Sequence, residues 1–191
     1  MMIKNLVHDQ DPILYNKVEV IDLSNPQIDL EEIDNILIKN MNYYEGVGLS
    51  ANQIGIPYKV FSLLHEGKPL TMFNPKILEV SSDYVQDLEG CLTYPGLYVK
   101  IMRPKTIVVS YYDKEKNNFQ GYFSDLSSRI IQHEMDHMQG KVFYDSASNF
   151  NLNQAKKKRK ITLRKMKEKN SVLWQSHINN RKLKKSFQKT L

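Results

Sequence analysis

The sequence predicts an α+β domain in which short antiparallel β-sheets pack around a central helix, followed by a basic C-terminal helix or arm. Three observations carry this expectation. Between residues 57 and 124, short β-branched and aromatic runs are separated by turn residues. Two helical patterns lie on either side of those runs, and segregated strands and helices fit α+β rather than an alternating α/β fold. Finally, 14 of the 27 Lys and Arg but only one of the 21 acids, Glu168, fall between Ala155 and Leu191, leaving −7 for the body and +13 for the tail.

Taken in order, "NPQIDLEEIDNILIKNMNYYEG" reads as a helix with Leu30, Ile33, Ile36, Leu37, Met41 and Tyr44 on one face. Asp29, Glu31 and Glu32 sit near its start, where the helix dipole favours acids, and Gly46 is expected to end it. "GVGLSANQIG" holds too many small residues for a regular element. "YKVFSLL" and "PLTMFNPKILEV" read as strands, "LYVKIMRPKTIVVSYYD" as two more around a proline, and "NNFQGYF" as a turn with its return strand. From Asp125, "LSSRIIQHEMDHMQG" is a mostly apolar helix, carrying Leu126, Ile130, His133, His137 and Met138 and stopping at Gly140. A helix apolar on most sides is expected to be buried.

The 191 residues, 41% hydrophobic, suffice for one domain with a real core. No apolar run reaches the roughly 18 residues of a membrane helix, and the opening "MMIKNLVHDQDPILY" lacks the apolar stretch of a signal peptide. A cytoplasmic location and no membrane partner are therefore expected. The single cysteine, Cys91, excludes an intramolecular disulfide and is either an inert residue or a chemical group.

The chemistry concentrates in "QHEMDHMQG". Residues four apart on a helix lie about 40° apart around its axis, so His133 and His137 can face one ion. Glu134, about 100° round from His133, can reach a water beside that ion without being a ligand. This is general-base geometry of a metallohydrolase, although the same motif also arises by chance on amphipathic helices. A third ligand is required. Asp145, Glu168 and His177 lie downstream, and Cys91 lies upstream in "EGCLTYPG".

Three segments together resemble the peptide deformylase family: "GVGLSANQ" at Gly46 to Gln53, "EGCLT" at Glu89 to Thr93, and "QHEMDHMQG" at Gln132 to Gly140. Ser50, Thr93 and Met138 replace the commoner alanine, serine and leucine. The resemblance covers roughly residues 1–144, and the expected organisation is a catalytic domain over 1–150 with a basic extension over 151–191. It implies Cys91, His133 and His137 as metal ligands with water at the fourth position. The ion is most often Fe(II) in the family, with Zn, Ni or Co also accepted. The implied reaction is hydrolysis of the N-formyl group from the formylmethionine of newly made polypeptides, releasing formate.

By the same resemblance Glu134 is the general base, and the Gln53 side-chain amide and Leu92 backbone N–H serve the developing oxyanion. Gly46 and Gly48 are expected to admit an extended substrate closely or simply to form the turn after the first helix. Val47, Leu92, Ile130 and the His133 ring are expected to line the methionine pocket, with Glu89 and Gly90 bordering it. Tyr94 and Tyr98 read first as core or surface residues. Asp136, about 60° from His133 on its far side, cannot face the ion with the histidines; the resemblance implies Arg103, twelve residues after Cys91, as its partner, and a solvated Asp136 is the alternative. Gln132 is expected to brace the motif, and His8 and His65 to lie at the surface.

"AKKKRK" and "LRKMKEK" could meet RNA phosphates, and some relatives dock on the ribosome through a C-terminal helix; a solvated arm fits the composition equally. Trp174 and the aliphatics Ile161, Leu163, Met166, Leu173, Ile178, Leu183 and Phe187 favour an amphipathic helix that docks on something. On that view, deleting residues from Ala155 onward leaves turnover of a short formyl peptide intact but weakens ribosome binding. A monomer is the expectation. Two rival functions are a peptidase with a downstream third ligand and a catalytically idle RNA-binding protein.

Overall fold

The computed structural model describes residues 3–168, with side chains through Arg164. After a short 3-10 turn at Pro12–Leu14 come α1 (Leu30–Tyr43), β1 (Gly48–Ser50), a second 3-10 turn (Ala51–Ile54), β2 (Val60–His65) and β3 (Lys68–Val80). β4 (Tyr84–Gly90), β5 (Tyr98–Pro104), β6 (Thr106–Tyr112), β7 (Asn118–Ser124), α2 (Asp125–Met138) and α3 (Asn149–Glu168) follow. A five-stranded antiparallel sheet in the order β1-β2-β3-β6-β7 and the two-stranded ribbon β4-β5 flank α2, which is the expected α+β arrangement.

Helix α1 forms where its caps and stripe require. Asp29 accepts from the Glu32 N–H at 3.0 Å, and Glu31 and Glu32 occupy the first turn. All six residues of the expected face are buried, packing with Leu49, Ile54, Val60 and Phe73. The helix ends earlier than Gly46. Glu45 takes the left-handed conformation (φ 54°), and the Gly46 N–H returns to Met41 O at 2.9 Å while Glu45 N–H returns to Asn42 O at 3.1 Å. Those two bonds close the helix, so Gly46 is the residue after its turning point.

Helix α2 packs Ile130, Ile131, Met135 and Met138 against Phe61, Leu63, Met72, Ile107, Val109 and Phe123 of the large sheet. Leu126, expected on that apolar face, is instead 63% exposed and lines the cleft. Gln132 Nε2 donates to Pro104 O (3.0 Å) and Ser128 Oγ (2.9 Å), bracing α2 against the corner between β5 and β6.

Two elements escaped sequence reading. β1 and its 3-10 turn arise within "GLSANQI", where pairing with β2 supplies the bonds that propensity does not. β4 is exposed along most of its length, with Glu89 its only buried residue, so "YVQDLEG" shows no buried alternation. The hairpin it forms with β5 places Cys91 and Leu92 at the start of the connecting loop.

The extension is helical through Glu168, and it docks. Ala155 is buried with Tyr94, Leu97, Val99, Ile101, Val142 and Phe143, and Leu152 packs against the same cluster. Lys156, Lys157, Lys158 and Lys160 point to solvent. Leu173, Trp174, His177, Ile178, Leu183 and Phe187 lie outside the described residues. Among the described residues no helix is long and apolar enough to cross a membrane.

Candidate active site

Four segments converge on one cleft of about 340 Å³: the loop into β1, the 3-10 turn after it, the β4-β5 loop and α2. Among the described residues, the one cluster able to hold a metal ion is Cys91, His133 and His137, whose donor atoms lie within 4.8 Å of one another. Cys91 Sγ is 3.1 Å from His137 Nε2. Asp145 is not near this set; its Oδ2 accepts from the Val142 N–H at 3.0 Å and closes a turn.

Each ligand candidate is oriented by a partner. His133 Nδ1 lies 3.1 Å from Glu89 Oε2, which directs the other ring nitrogen inward, the usual arrangement behind a ligating histidine. The ring also packs on Phe143 with centroids 5.1 Å apart. Asn52, fully buried, donates to the His137 carbonyl at 2.7 Å and so ties the 3-10 turn to the end of α2. Burial would raise the Cys91 pKa, but the charges and hydrogen bonds of His137 and His133 override it and hold the thiol well below its ordinary value. Burial likewise opposes a proton on His133, yet Cys91, Glu89 and Glu134 push its pKa up to about 10. A thiolate and two imidazoles braced in this way fit a divalent ion.

Glu134 is buried beside them, and its Oε2 has no hydrogen-bond partner among the described residues. Burial raises its pKa, partly offset by His133 and His137. The space for this carboxylate comes from Gly48: a Cβ there would sit 2.5 Å from Glu134 Oε1 and 2.7 Å from Ile130 Cγ2. Gly46 is similarly covered by Leu92, with a hypothetical Cβ 2.8 Å from Leu92 Cδ1. Neither glycine has positive φ, so what bears on them is crowding: a side chain at 48 would displace Glu134 or Ile130, and one at 46 the tip of Leu92, a reason the sequence did not disclose.

Gln53 is buried with its amide fixed at both ends. Oε1 accepts from the Ser50 N–H (2.9 Å), and Nε2 donates to Thr93 Oγ1 (3.0 Å) and faces Cys91 Sγ (3.4 Å). The departures Ser50 and Thr93 are therefore the two residues that hold Gln53. No acceptor among the described residues pairs with the Leu92 N–H. Val47 is 48% exposed on the cleft rim, Ile130 lines the cleft floor, and Gly90 lies under the Tyr98 ring, 2.6 Å from where its Cβ would be. Tyr94 is buried and lines the cleft, while Tyr98 is exposed at its rim.

Glu89 does more than border the cleft. Arg103 grips it through Nε (2.8 Å) and Nη2 (2.9 Å), and Arg129 Nη1 reaches the same carboxylate at 2.7 Å. Burial would raise its pKa, but Arg103 and His133 bring it down to about 2. Arg103 also meets Asp136 Oδ2 at 2.7 Å, the expected pair. Arg129 was not singled out from sequence; the available signal was a charge exactly one helical turn before His133 in an apolar run. His8 sits at the surface beside Asp9, whereas His65 is half-buried, bonded to Ser127 Oγ (2.9 Å) and packed edge-on against Phe123.

A helix-borne His-Glu-x-x-His pair, completed by a cysteine from a β-hairpin loop, defines a metal-dependent hydrolase. The chain belongs to the peptide deformylase family: the family model described as polypeptide deformylase matches residues 3–153. A peptide deformylase of Bartonella tribocorum is 33% identical over 178 residues, spanning 88% of this chain and 93% of the relative. That of Borreliella burgdorferi is 42% identical over 112 residues, 57% of this chain and 67% of the relative. Among solved structures, a plant peptide deformylase superposes with a TM-score of 0.77 at 30% identity, covering 88% of this chain and 94% of the other. The enzyme of Synechococcus elongatus, crystallised with actinonin, gives 0.75 at 33% identity over 81% and 85%. The family consists of metalloenzymes that remove the N-formyl group from nascent polypeptides, and this chain is such a hydrolase.

Proposed function

We propose that Cys91, His133 and His137 hold one divalent ion, that Glu134 is the general base, and that Gln53 and the Leu92 N–H receive the oxyanion. The buried, unpartnered Glu134 Oε2 beside the donor cluster carries this reading. An ion bound there would polarise the formyl carbonyl and lower the pKa of a water. Glu134 takes a proton from the attacking water and returns it to the departing amide nitrogen, so formyl-NH-R and water become formic acid and H₂N-R, and the acid's proton passes to the amine to leave formate and H₃N⁺-R. The Thr93 hydroxyl and the Ser50 backbone keep the Gln53 amide turned toward the reaction, which spares reorganisation as charge develops. Gly46 and Val47 lead into β1, the edge strand of the five-stranded sheet, where an extended peptide would pair as an added strand. Val47, Leu92, Ile130, Glu89 and Gly90 surround the methionine side chain.

Fe(II) is the ion in the cell, with Zn, Ni or Co able to replace it, since a Cys-His-His set accepts several divalent ions. The enzyme is a cytoplasmic monomer, and the basic C-terminal tail over 151–191 serves as a ribosome or rRNA contact.

The test is formate release from formyl-Met-Ala-Ser by protein purified anaerobically with Fe(II), or in nickel, beside Glu134→Ala with its metal content measured. The parent is expected to be active and the variant to retain metal while losing at least about 100-fold in rate. Equal activity in a metallated Glu134→Ala protein would remove Glu134 as the base.

A further inference from the structure

One wall of the cleft is held from outside by the C-terminal extension. Tyr94 to Leu97 form a tight turn in which the Leu97 N–H donates to Tyr94 O at 3.1 Å, and all four residues line the cleft. Pro95 is second and Gly96, at φ +75°, third, the pattern of a type II turn. The turn's own bond uses Tyr94 O, which leaves Pro95 O in need of another donor. That donor is Arg159 of α3, whose Nε reaches Pro95 O at 3.2 Å while Nη2 lies 3.6 Å from Asp9 Oδ2.

Two further contacts fix the same turn. A Cβ on Gly96 would stand 3.2 Å from Thr162 Cγ2 and 3.6 Å from Leu163 Cδ2, so α3 lies directly against the backbone there. On the other side the Tyr15 hydroxyl donates to Asp9 O (2.6 Å), and the Tyr94 hydroxyl lies 3.4 Å from it. Within the run from Lys156 to Lys160, Arg159 is the one cation that is not exposed. A solvated charge run accounts for the lysines and leaves Arg159 unexplained.

We infer that Arg159 is a positioning residue for substrate binding: by tying Pro95 O toward Asp9, it holds the Tyr94–Leu97 wall and so sets the affinity of the cleft for the formyl peptide. The chemical step at Glu134 does not pass through it. The inference rests on the deformylase reading of the cleft.

The test compares steady-state kinetics on formyl-Met-Ala-Ser for the metallated full chain, Arg159→Met, Arg159→Lys, Asp9→Asn and the exposed-residue control Lys157→Met. An unfolded fraction lowers apparent kcat and leaves KM unchanged, so KM isolates a positioning effect from simple destabilisation. Arg159→Met is expected to raise KM about 3–10-fold, the scale of one lost hydrogen bond, with kcat within about twofold. Arg159→Lys, which keeps a donor and the charge, recovers most of the loss; Asp9→Asn shifts KM in the same direction by less; Lys157→Met matches the parent. An unchanged KM in Arg159→Met and Asp9→Asn overturns the inference, as does a loss confined to kcat. A parent that releases no formate fails in every variant alike and overturns the deformylase reading instead.

Discussion

Gly48 and Glu89 show how individual residues acquire their roles from neighbours distant in sequence. Gly48 leaves room for the Glu134 carboxylate, which no other side chain at position 48 would do without displacing Glu134 or Ile130. Glu89 is the shared anion of two arginines and the acceptor behind His133, so one carboxylate joins the ribbon, α2 and the ion site. Removing that charge leaves two buried cations short of a partner and frees the histidine ring. Glu89→Gln is therefore expected to cost about 3–5 kcal/mol in urea unfolding, the range for a broken buried ion pair. Its metal affinity, read by competition with a chelator, should fall about 10- to 100-fold, as for other lost partners behind a ligand. Parental values in both measurements would reduce Glu89 to a spectator.

Among the elements, α3 takes the helical one of its two expected forms and packs on the domain itself. A basic tail could be cut at Ala155 without harm if it were only an arm, but Ala155 is buried with Tyr94, Leu97 and Phe143 and Arg159 meets the cleft wall. Chains ending after Gln154 should therefore melt at least roughly 3 °C lower, the shift expected for about 1 kcal/mol in a domain of this size, and bind formyl peptide more weakly. Chains ending after Glu168 keep these contacts and should match the full protein in both respects. Ribosome sedimentation of the second chain then tests residues 169–191 separately. Identical melting and KM for the shorter truncation would return α3 to the status of an appendage.

At the scale of the whole molecule, the proposed ion site is where the two sheets are joined through α2. Cys91 comes from the ribbon hairpin, the histidines from the helix, and Gln53 from the turn after the edge strand of the large sheet. A ligand bound by the folded chain alone stabilises it by mass action, about 2.7 kcal/mol at a hundredfold excess over Kd. Stripping the ion with a chelator under anaerobic conditions is expected to lower the melting midpoint by roughly 5–10 °C, and adding Ni should restore it. A midpoint indifferent to measured metal content would mean that the cluster contributes nothing to cohesion.

Much of this was written in the chain itself. The stripe of α1, the strands β2, β3, β5, β6 and β7, and the helix bearing His133, Glu134 and His137 follow from local pattern, because side-chain spacing and burial are local consequences of backbone geometry. The three short motifs were legible because each concentrates unusual residues at close spacing. Tertiary structure alone decided the exposed strand β4, whose partner rather than its pattern makes it a strand, and the exposure of Leu126. It alone also revealed Arg129 behind Glu89, the crowding at Gly46 and Gly48, and the inward turn of Arg159. Each of those depends on which surface comes to lie opposite, and that is settled only when the sheets close around α2.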